Sequence, residues 1–337
     1  MIDWNSHAVI DSVSQHIYLP LLTLLGILNL FIGSFAIFIV ATKSPRSTRT
    51  YNALLLNILF WSFAADFFQA ILCQFDAHWP VPCFRAHGIV TLFNFGETVL
   101  DILATLIVII YCNMIIAAAL PVSFRCAQLL YRSTMKRVPR WGGILYCMCW
   151  HLAVGGAGLY LYTVCIVPAD IYRDNTIEYH QVTCVTAKST HKTIMVYGGL
   201  IGFAFDALSL IAYLFVSNRK VKTERRLSFS QHTENLQKIF TRNLSIVTFV
   251  PLCFFTIPFI IFIFAFDTLE LYSNYIMYMT ELLMCFHNLL VSVVTLRIYS
   301  AYRKATNDYM RKLLAKLKLG QVWSNSNESQ SVVMYIK

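Results

Sequence analysis

Seven long apolar stretches, separated by short polar segments, set the pattern of this chain. None of them carries Lys or Arg in its interior. Each is long enough to cross a hydrocarbon layer of ~30 Å as a helix of about 20 residues. A backbone in lipid must satisfy its own hydrogen bonds, so such stretches form helices. The pattern predicts an all-α bundle of seven transmembrane helices, at residues 18–41, 52–75, 88–120, 142–166, 194–216, 243–266 and 273–296.

Lys and Arg are distributed unevenly between the segments that connect these stretches. The N-terminal segment and the second, fourth and sixth loops hold 4 of the 27 basic residues, whereas the other loops and the C-terminal tail hold 23. The side rich in Lys and Arg is cytoplasmic, which places the N-terminus outside. The net charge of +10 then favours attraction to an anionic inner leaflet over binding to nucleic acid.

Composition leaves little room for a domain outside the membrane, since 57% of the residues are hydrophobic and 13% are charged. The expected organisation is an extracellular segment (1–17), a seven-transmembrane bundle (18–297), a basic amphipathic juxtamembrane helix (298–320) and a disordered cytoplasmic tail (321–337). The sequence has no zinc-type cysteine spacing and no glycine-rich phosphate loop. We therefore expect no enzymatic activity, no cofactor, no metal site and no nucleic-acid partner.

Two of the ten cysteines face the predicted outer side, where disulfides persist. Cys83 precedes the third stretch and Cys184 lies in the longest outer loop, so a bridge between them would close that loop over the bundle. Cys73 and Cys165, near outer helix ends, are the competing partners. The alternative is that Cys83 and Cys184 remain unpaired thiols.

An ordered set of motifs resembles the nematode serpentine chemoreceptors, most closely their class H and class I families. The resemblance covers about residues 20–303. The motifs are residues 43–49 (KSPRSTR), 54–62 with Asp66, 79–82 (WPVP), 87–88, 233–240 (TENLQKIF) with Pro251 and Pro258, and 286–288 with 301–303. The resemblance implies a G-protein-coupled receptor for environmental cues, acting in sensory neurons.

The chain also departs from related patterns. Ala301 stands where the serpentine families usually have proline. The third helix, expected to end near residues 111–113, lacks the Asp-Arg-Tyr triplet of rhodopsin-like receptors, and the seventh lacks Asn-Pro-x-x-Tyr. Coupling to a G protein is therefore implied by topology and family rather than by a motif.

Ionisable side chains inside a bilayer are costly and usually face the bundle interior. The acidic residues within the predicted spans are Asp66, Glu97, Asp101, Asp206 and Glu281. Glu97 and Asp101, four residues apart, share a helix face at roughly 14 and 20 Å from its outer end, and Glu281 lies roughly 12 Å in. These three predict an acidic ligand pocket. The alternative is that they are protonated carboxyls bonded to nearby Ser, Thr or Tyr.

Further candidates concern activation. The surroundings of Asp66 resemble those of the sodium-site aspartate of other receptors, and Asp206 and His287 are additional ion or activation candidates. Ordinary interhelical hydrogen bonds are the alternative. Pro251 and Pro258 are seven residues apart and so lie on nearly the same side of the sixth helix. Each removes a backbone hydrogen bond and bends the helix, which predicts either a hinge or a static kink.

Ser228 follows two arginines in a cytoplasmic loop and is a candidate phosphorylation site. The expected function is a plasma-membrane chemosensory receptor, in sensory-neuron cilia, with a small-molecule ligand, a heterotrimeric G protein and membrane lipids as partners. A ligand-gated cation channel and a proton-coupled transporter are the alternatives.

Overall fold

The computed structural model describes residues 12–44, 49–77, 82–93, 95–131, 139–175, 181–186 and 273–316, with scattered positions between 190 and 261. Within these residues five helices are long and apolar enough to cross a membrane. They occupy the first four predicted spans and the seventh. The predicted spans at 194–216 and 243–266 are described only at scattered positions, most of which are helical.

Counted with the π-helical turns that adjoin two of them, four of the five helices begin and end within a few residues of their predicted bounds. They are α1 (Leu19–Lys43), α2 (Arg49–Asp66), α4 (Arg140–Cys165) and, in the seventh span, α5 (Ser273–Ile298). A π-helical turn at Ser14–Tyr18 precedes α1, and another at Phe67–Cys73 extends α2. A further helix, α6 (Ser300–Lys316), covers most of the expected juxtamembrane helix.

The third helix differs most from its prediction. The apolar pattern placed it at 88–120, whereas α3 runs over Glu97–Leu130. Residues Ile89–Phe93 form a separate 3-10 helix, because the backbone at Gly88 packs against the end of the second span and Gly96 is extended immediately before α3. Hydropathy marks an apolar stretch, but it does not show where the backbone leaves the helix.

The outer end, as the charge count defines it, carries a four-stranded antiparallel sheet that the all-α expectation did not include. The strands are β1 (Phe75–Ala77), β2 (Cys83–Ala86), β3 (Ile166–Val167) and β4 (Val182–Val185), in the order β1-β2-β4-β3. They flank α2, α3 and α4 in the chain, and β4 packs over α3. Strands this short leave no mark in a hydrophobic pattern, so the sheet is an addition to the predicted helical bundle.

Among the described residues, the largest apolar core lies at the opposite end. It is formed by residues of α1, α2, α3 and α5, by Val247 and Val250 of the sixth predicted span, and by Tyr302 of α6. The ring of Tyr309 in α6 packs edge-on against Phe35 and Phe38 of α1. This places α6 against the inner end of the bundle.

Candidate functional site

A disulfide closes the sheet above α3. Cys83 of β2 and Cys184 of β4 are directly paired across the strands, and their sulfurs are bonded. Cys73 and Cys165, the competing partners, are both buried free thiols. The bond therefore joins the segment that leads into α3 to the long outer loop.

Two carboxylates at the outer end of α3 also hold this loop. Oδ1 of Asp101 accepts a hydrogen bond of 2.6 Å from the hydroxyl of Thr183 in β4. Oε1 of Glu97 accepts one of 2.6 Å from the backbone N–H of Ala169, at the start of a 3-10 helix (Ala169–Asn175). Asp101 and Glu97 lie on one face, as expected from their spacing. We call these two contacts, with the disulfide, the loop clamp.

The depth expected for these two acids is wrong. Glu97 is the first residue of α3 and is exposed, and Asp101 lies one turn further in. The error comes from the predicted start at residue 88. Both carboxylates therefore sit at the outer rim of the helix, in contact with the loop, rather than deep in the bundle.

Glu281 lies in a different cluster, where α1, α5 and β1 meet. Its carboxylate accepts a short hydrogen bond from the hydroxyl of Tyr18 and another from the side chain of Gln69. The ring of Tyr18 stacks on Tyr278 with centroids 4.4 Å apart. Glu281 thus joins the seventh span to the first and the second, and the contacts described do not join it to Glu97 or Asp101.

Asp76 of β1 is the second acid in this cluster, and it was not among the sequence candidates. It is only 3% exposed and accepts hydrogen bonds of 2.6 Å from the hydroxyls of Ser14 and Tyr278. Nε2 of His87 lies 3.6 Å from its carboxylate. The sequence placed Asp76 in a solvated loop just after an apolar stretch. The sequence did contain a weak indication of β1, because Asp76 lies between the apolar residues Phe75 and Ala77, the alternation typical of a strand.

Asp66 sits deeper, where α1, α2 and α5 pack together. It is 3% exposed, and its Oδ1 accepts a hydrogen bond of 2.5 Å from Nδ2 of Asn288. Asn29 and Cys285 also hydrogen-bond its carboxyl group. His287, next to Asn288, is 1% exposed. Asp66 and His287 are therefore both buried in one polar region.

A second polar junction links α2, α3 and α4. Nδ1 of His151 lies 2.7 Å from Oδ1 of Asn113, and Nε2 lies 3.1 Å from Nδ2 of Asn57. Trp61 stacks on the same imidazole at 5.4 Å. Asn113 was expected near the inner end of its helix, but α3 continues to Leu130, so the junction lies within the bundle.

At the inner end Tyr302 joins three elements. It is 2% exposed, and its hydroxyl donates to Oδ1 of Asn52 at 2.9 Å and lies 3.0 Å from Oγ of Ser44. Burial raises the pKa of Tyr302, so the phenol stays protonated and remains a donor. The hydroxyls of Tyr51 and Tyr299 form a hydrogen bond near this site.

One of the two hinge candidates is described. Pro258 is buried, and its carbonyl accepts a hydrogen bond of 3.3 Å from the hydroxyl of Thr280 in α5. This bond links the sixth predicted span to the seventh. Pro251, Asp206 and Ser228 lie outside the described residues.

A family model described as "Serpentine type 7TM GPCR chemoreceptor Srh" matches residues 13–312. A search of curated proteins finds no match. The matched range runs from the start of the first span into α6, and it includes the sheet, the loop clamp and every buried acid described above. The chain is therefore a multi-pass membrane protein that belongs to the Srh family of serpentine seven-transmembrane G-protein-coupled chemoreceptors.

Proposed function

We propose that this chemoreceptor acts at the plasma membrane, in sensory-neuron cilia, and has no enzymatic activity. A small-molecule cue binds in its outer half, and a heterotrimeric G protein binds the cytoplasmic side. The single observation that carries the proposal is the family match over residues 13–312, because the family is one of chemoreceptors. The uneven distribution of basic residues supports the same orientation.

The family supports a receptor over the channel and transporter alternatives. The distinction is also measurable. A channel would give currents that persist when G proteins are blocked, and a transporter would give saturable uptake of its substrate. A receptor gives neither, but activates a G-protein sensor when its cue is added.

We propose that the cue acts at the loop clamp. Glu97 is exposed, and Asp101 is directed to a loop that the disulfide holds over α3. A cationic or hydrogen-bonding ligand has two carboxylates to contact on one helix face. A ligand that binds the two carboxylates in place of Thr183 and Ala169 would change the position of the outer loop on α3.

Activation then requires that the ligand bind the signalling state better than the resting state. Three described features lie between the outer end and the G-protein side. They are the buried Asp66, the His151 junction and the Thr280–Pro258 bond between the sixth and seventh spans. We propose that Pro251 and Pro258 form a hinge in the sixth helix. We also propose that Asp66, with Asp206 and His287, holds the sixth helix in its resting position.

The first experiment is a functional screen. The receptor is expressed in cultured cells with a G-protein sensor and exposed to volatile and soluble compounds. We expect at least one compound to give a saturable response that cells lacking the receptor do not show. Uptake or G-protein-independent current in place of that response would contradict the proposal.

The second experiment asks whether Asp101 contacts the active compound or only holds the loop. Asp101→Asn removes the charge but leaves an oxygen that can accept from Thr183, whereas Thr183→Ala removes this loop contact and keeps the carboxylate. If ligand binds the charge, Asp101→Asn lowers potency tenfold or more, about 1.4 kcal/mol, and Thr183→Ala has a much smaller effect. Glu97→Gln, with the same loss expected, extends the test to the second acid.

Equal effects of Asp101→Asn and Thr183→Ala would mean that the acid acts only through the loop. Unchanged dose–response curves for Asp101→Asn and Glu97→Gln would remove ligand binding from both acids. Surface expression is measured for every variant, so that a loss of signalling is compared at equal receptor number.

A further inference from the structure

An exposed apolar patch lies between β2 and α3, outside the bundle. Ile89, Leu92, Phe93 and Phe95 are 44, 79, 64 and 40% exposed, and the rings of Phe93 and Phe95 stack with centroids 5.5 Å apart. The apolar pattern predicts that these residues belong to the third span, but they lie before α3 begins. The receptor function leaves this patch unexplained.

The patch carries no formal charge. No Asp, Glu, Lys or Arg occurs between Arg85 and Glu97. A water-facing loop of this length ordinarily contains charged residues, and contiguous exposed apolar surface marks an interaction site. A short apolar segment with aromatic residues at the end of a transmembrane helix is typical of the membrane interface.

The backbone beneath the patch is firmly held. The N–H groups of His87 and Gly88 donate to the carbonyl of Cys73, at 3.0 and 2.9 Å, and so cap the end of the second span. The side chain of Gln181 donates to the carbonyl of Thr91 at 3.1 Å, and Val90 is buried in the core beneath. The exposed side chains therefore project from a fixed platform.

The patch leads directly into a membrane-spanning helix. α3 begins two residues after Phe95, and Val99 and Ile102 on its first turns are 37 and 61% exposed. An uncharged segment with aromatic residues, joined to a span in this way, favours lipid as the occupant over a separate protein partner.

We propose that Ile89–Phe93 together with Phe95, which we call the outer anchor, inserts into the boundary between headgroups and acyl chains of the outer leaflet. The hydrogen bonds of His87 and Gly88 to the second span, and the bond from Gln181 to the carbonyl of Thr91, then hold the sheet at the membrane surface. The partner is the phospholipid of that leaflet. The loop clamp then sits on a platform that is fixed from below by lipid and from above by the disulfide.

The test places one fluorine reporter, 4-trifluoromethylphenylalanine, at position 93 of the full chain in phosphatidylcholine vesicles. Its fluorine resonance is recorded with a lipid carrying a spin label at carbon 5, and separately with a water-soluble nickel chelate on both sides of the membrane. We expect the lipid label to broaden the resonance and the nickel chelate to leave it nearly unchanged. The same reporter at Phe31, which is 68% exposed in α1, calibrates a lipid-facing position.

Broadening by nickel and not by the lipid label would show a water-facing segment and overturn the proposal. Protection from both agents would also overturn it, because a second copy or another part of the chain would then cover the patch. Position 92 provides a second measurement if the reporter at 93 disturbs folding, since Leu92 is the most exposed side chain of the anchor.

Discussion

The buried carboxyl groups of this receptor are held by neutral donors from neighbouring helices. Asp66 accepts a hydrogen bond from Asn288, and Glu281 accepts one from Tyr18. Asp76 accepts hydrogen bonds from Ser14 and Tyr278. A buried polar group that loses its partner costs ~1–3 kcal/mol, so each acid fixes the relative position of the elements that supply its donors. The acids thereby connect α1, α2, β1 and α5.

Asp66→Asn tests whether the charge of Asp66 has a role beyond such bonding. The amide has the same size and an oxygen that can still accept from Asn288, so we expect surface expression to persist. A sodium ion needs the negative charge, and this charge is lost. We expect sodium to lower agonist potency in the parent and to have little effect in the variant, measured by dose–response with sodium or an organic cation outside the cell.

The control for this prediction is a substitution in another part of the molecule. Thr183→Ala, which leaves every carboxylate in place, should keep the sodium response of the parent. A parent receptor whose potency does not depend on sodium would mean that Asp66 only bonds its neighbours.

At the scale of single residues, the sequence showed that Asp66 and Glu281 were unusual, but it did not show which residues they contact. Asp66 and Glu281 stood out because carboxyl groups in apolar spans are rare. Asp76 was missed because its burial depends on β1 and on Tyr278, 202 residues away in the chain. The grouping of Glu281 with Glu97 and Asp101 failed because depth along a helix does not show which face meets which neighbour.

At the scale of elements, the join between the second span and the outer anchor depends on one glycine. A Cβ at position 88 would lie 2.4 Å from the carbonyl oxygen of Leu72, which is backbone and cannot move aside freely. We expect Gly88→Ala to destabilise the receptor by about 1–3 kcal/mol, as overpacking does. The measurement is the thermal unfolding midpoint of the purified protein in detergent.

Gly96→Ala is the matched control, because a Cβ there meets nothing within 4 Å. Its unfolding midpoint should stay close to that of the parent. If the two alanine variants unfold at the same temperature, the close packing of Gly88 against Leu72 is not important for stability.

The disulfide gives a second prediction at this scale. Cys83→Ser and Cys184→Ser should each lower surface expression, and the double variant should be no worse than either, because both changes remove the same bond. Cys149→Ser, which changes an exposed free cysteine, should have little effect. Alkylation of Cys83 and Cys184 without reductant, detected by mass mapping, would contradict the bond.

The elements themselves were predictable to different degrees. The apolar pattern located α1, α2, α4 and α5 within a few residues, since a helix in lipid must be long and uniformly apolar. The sheet was not predictable, because its strands are two to four residues long and pair across as many as 101 positions. The start of α3 was wrong because the outer anchor is as apolar as a span.

At the scale of the whole molecule, both ends of the bundle are tied across the chain. At the outer end the sheet, the disulfide and the stacked Tyr18 and Tyr278 join the first four spans to the seventh. At the inner end Tyr302 bonds Asn52 and Ser44. A ligand acting at the outer end therefore acts on elements that reach the G-protein side, which is the arrangement a receptor needs.

The charge count determines which end of the bundle is outside, and the roles of the loop clamp, the outer anchor and the inner end depend on this orientation. Basic residues near span ends are retained in the cytoplasm, and 23 of the 27 lie on the side of the C-terminus. A tag at the N-terminus should be accessible to antibody on intact cells, whereas a tag after Lys337 should require permeabilisation. The sequons at Asn243 and Asn327 should remain unglycosylated, because they lie on the inner side. A glycosidase-sensitive gel shift or the reverse tag accessibility would place the loop clamp and the outer anchor in the cytoplasm, where no environmental cue reaches them.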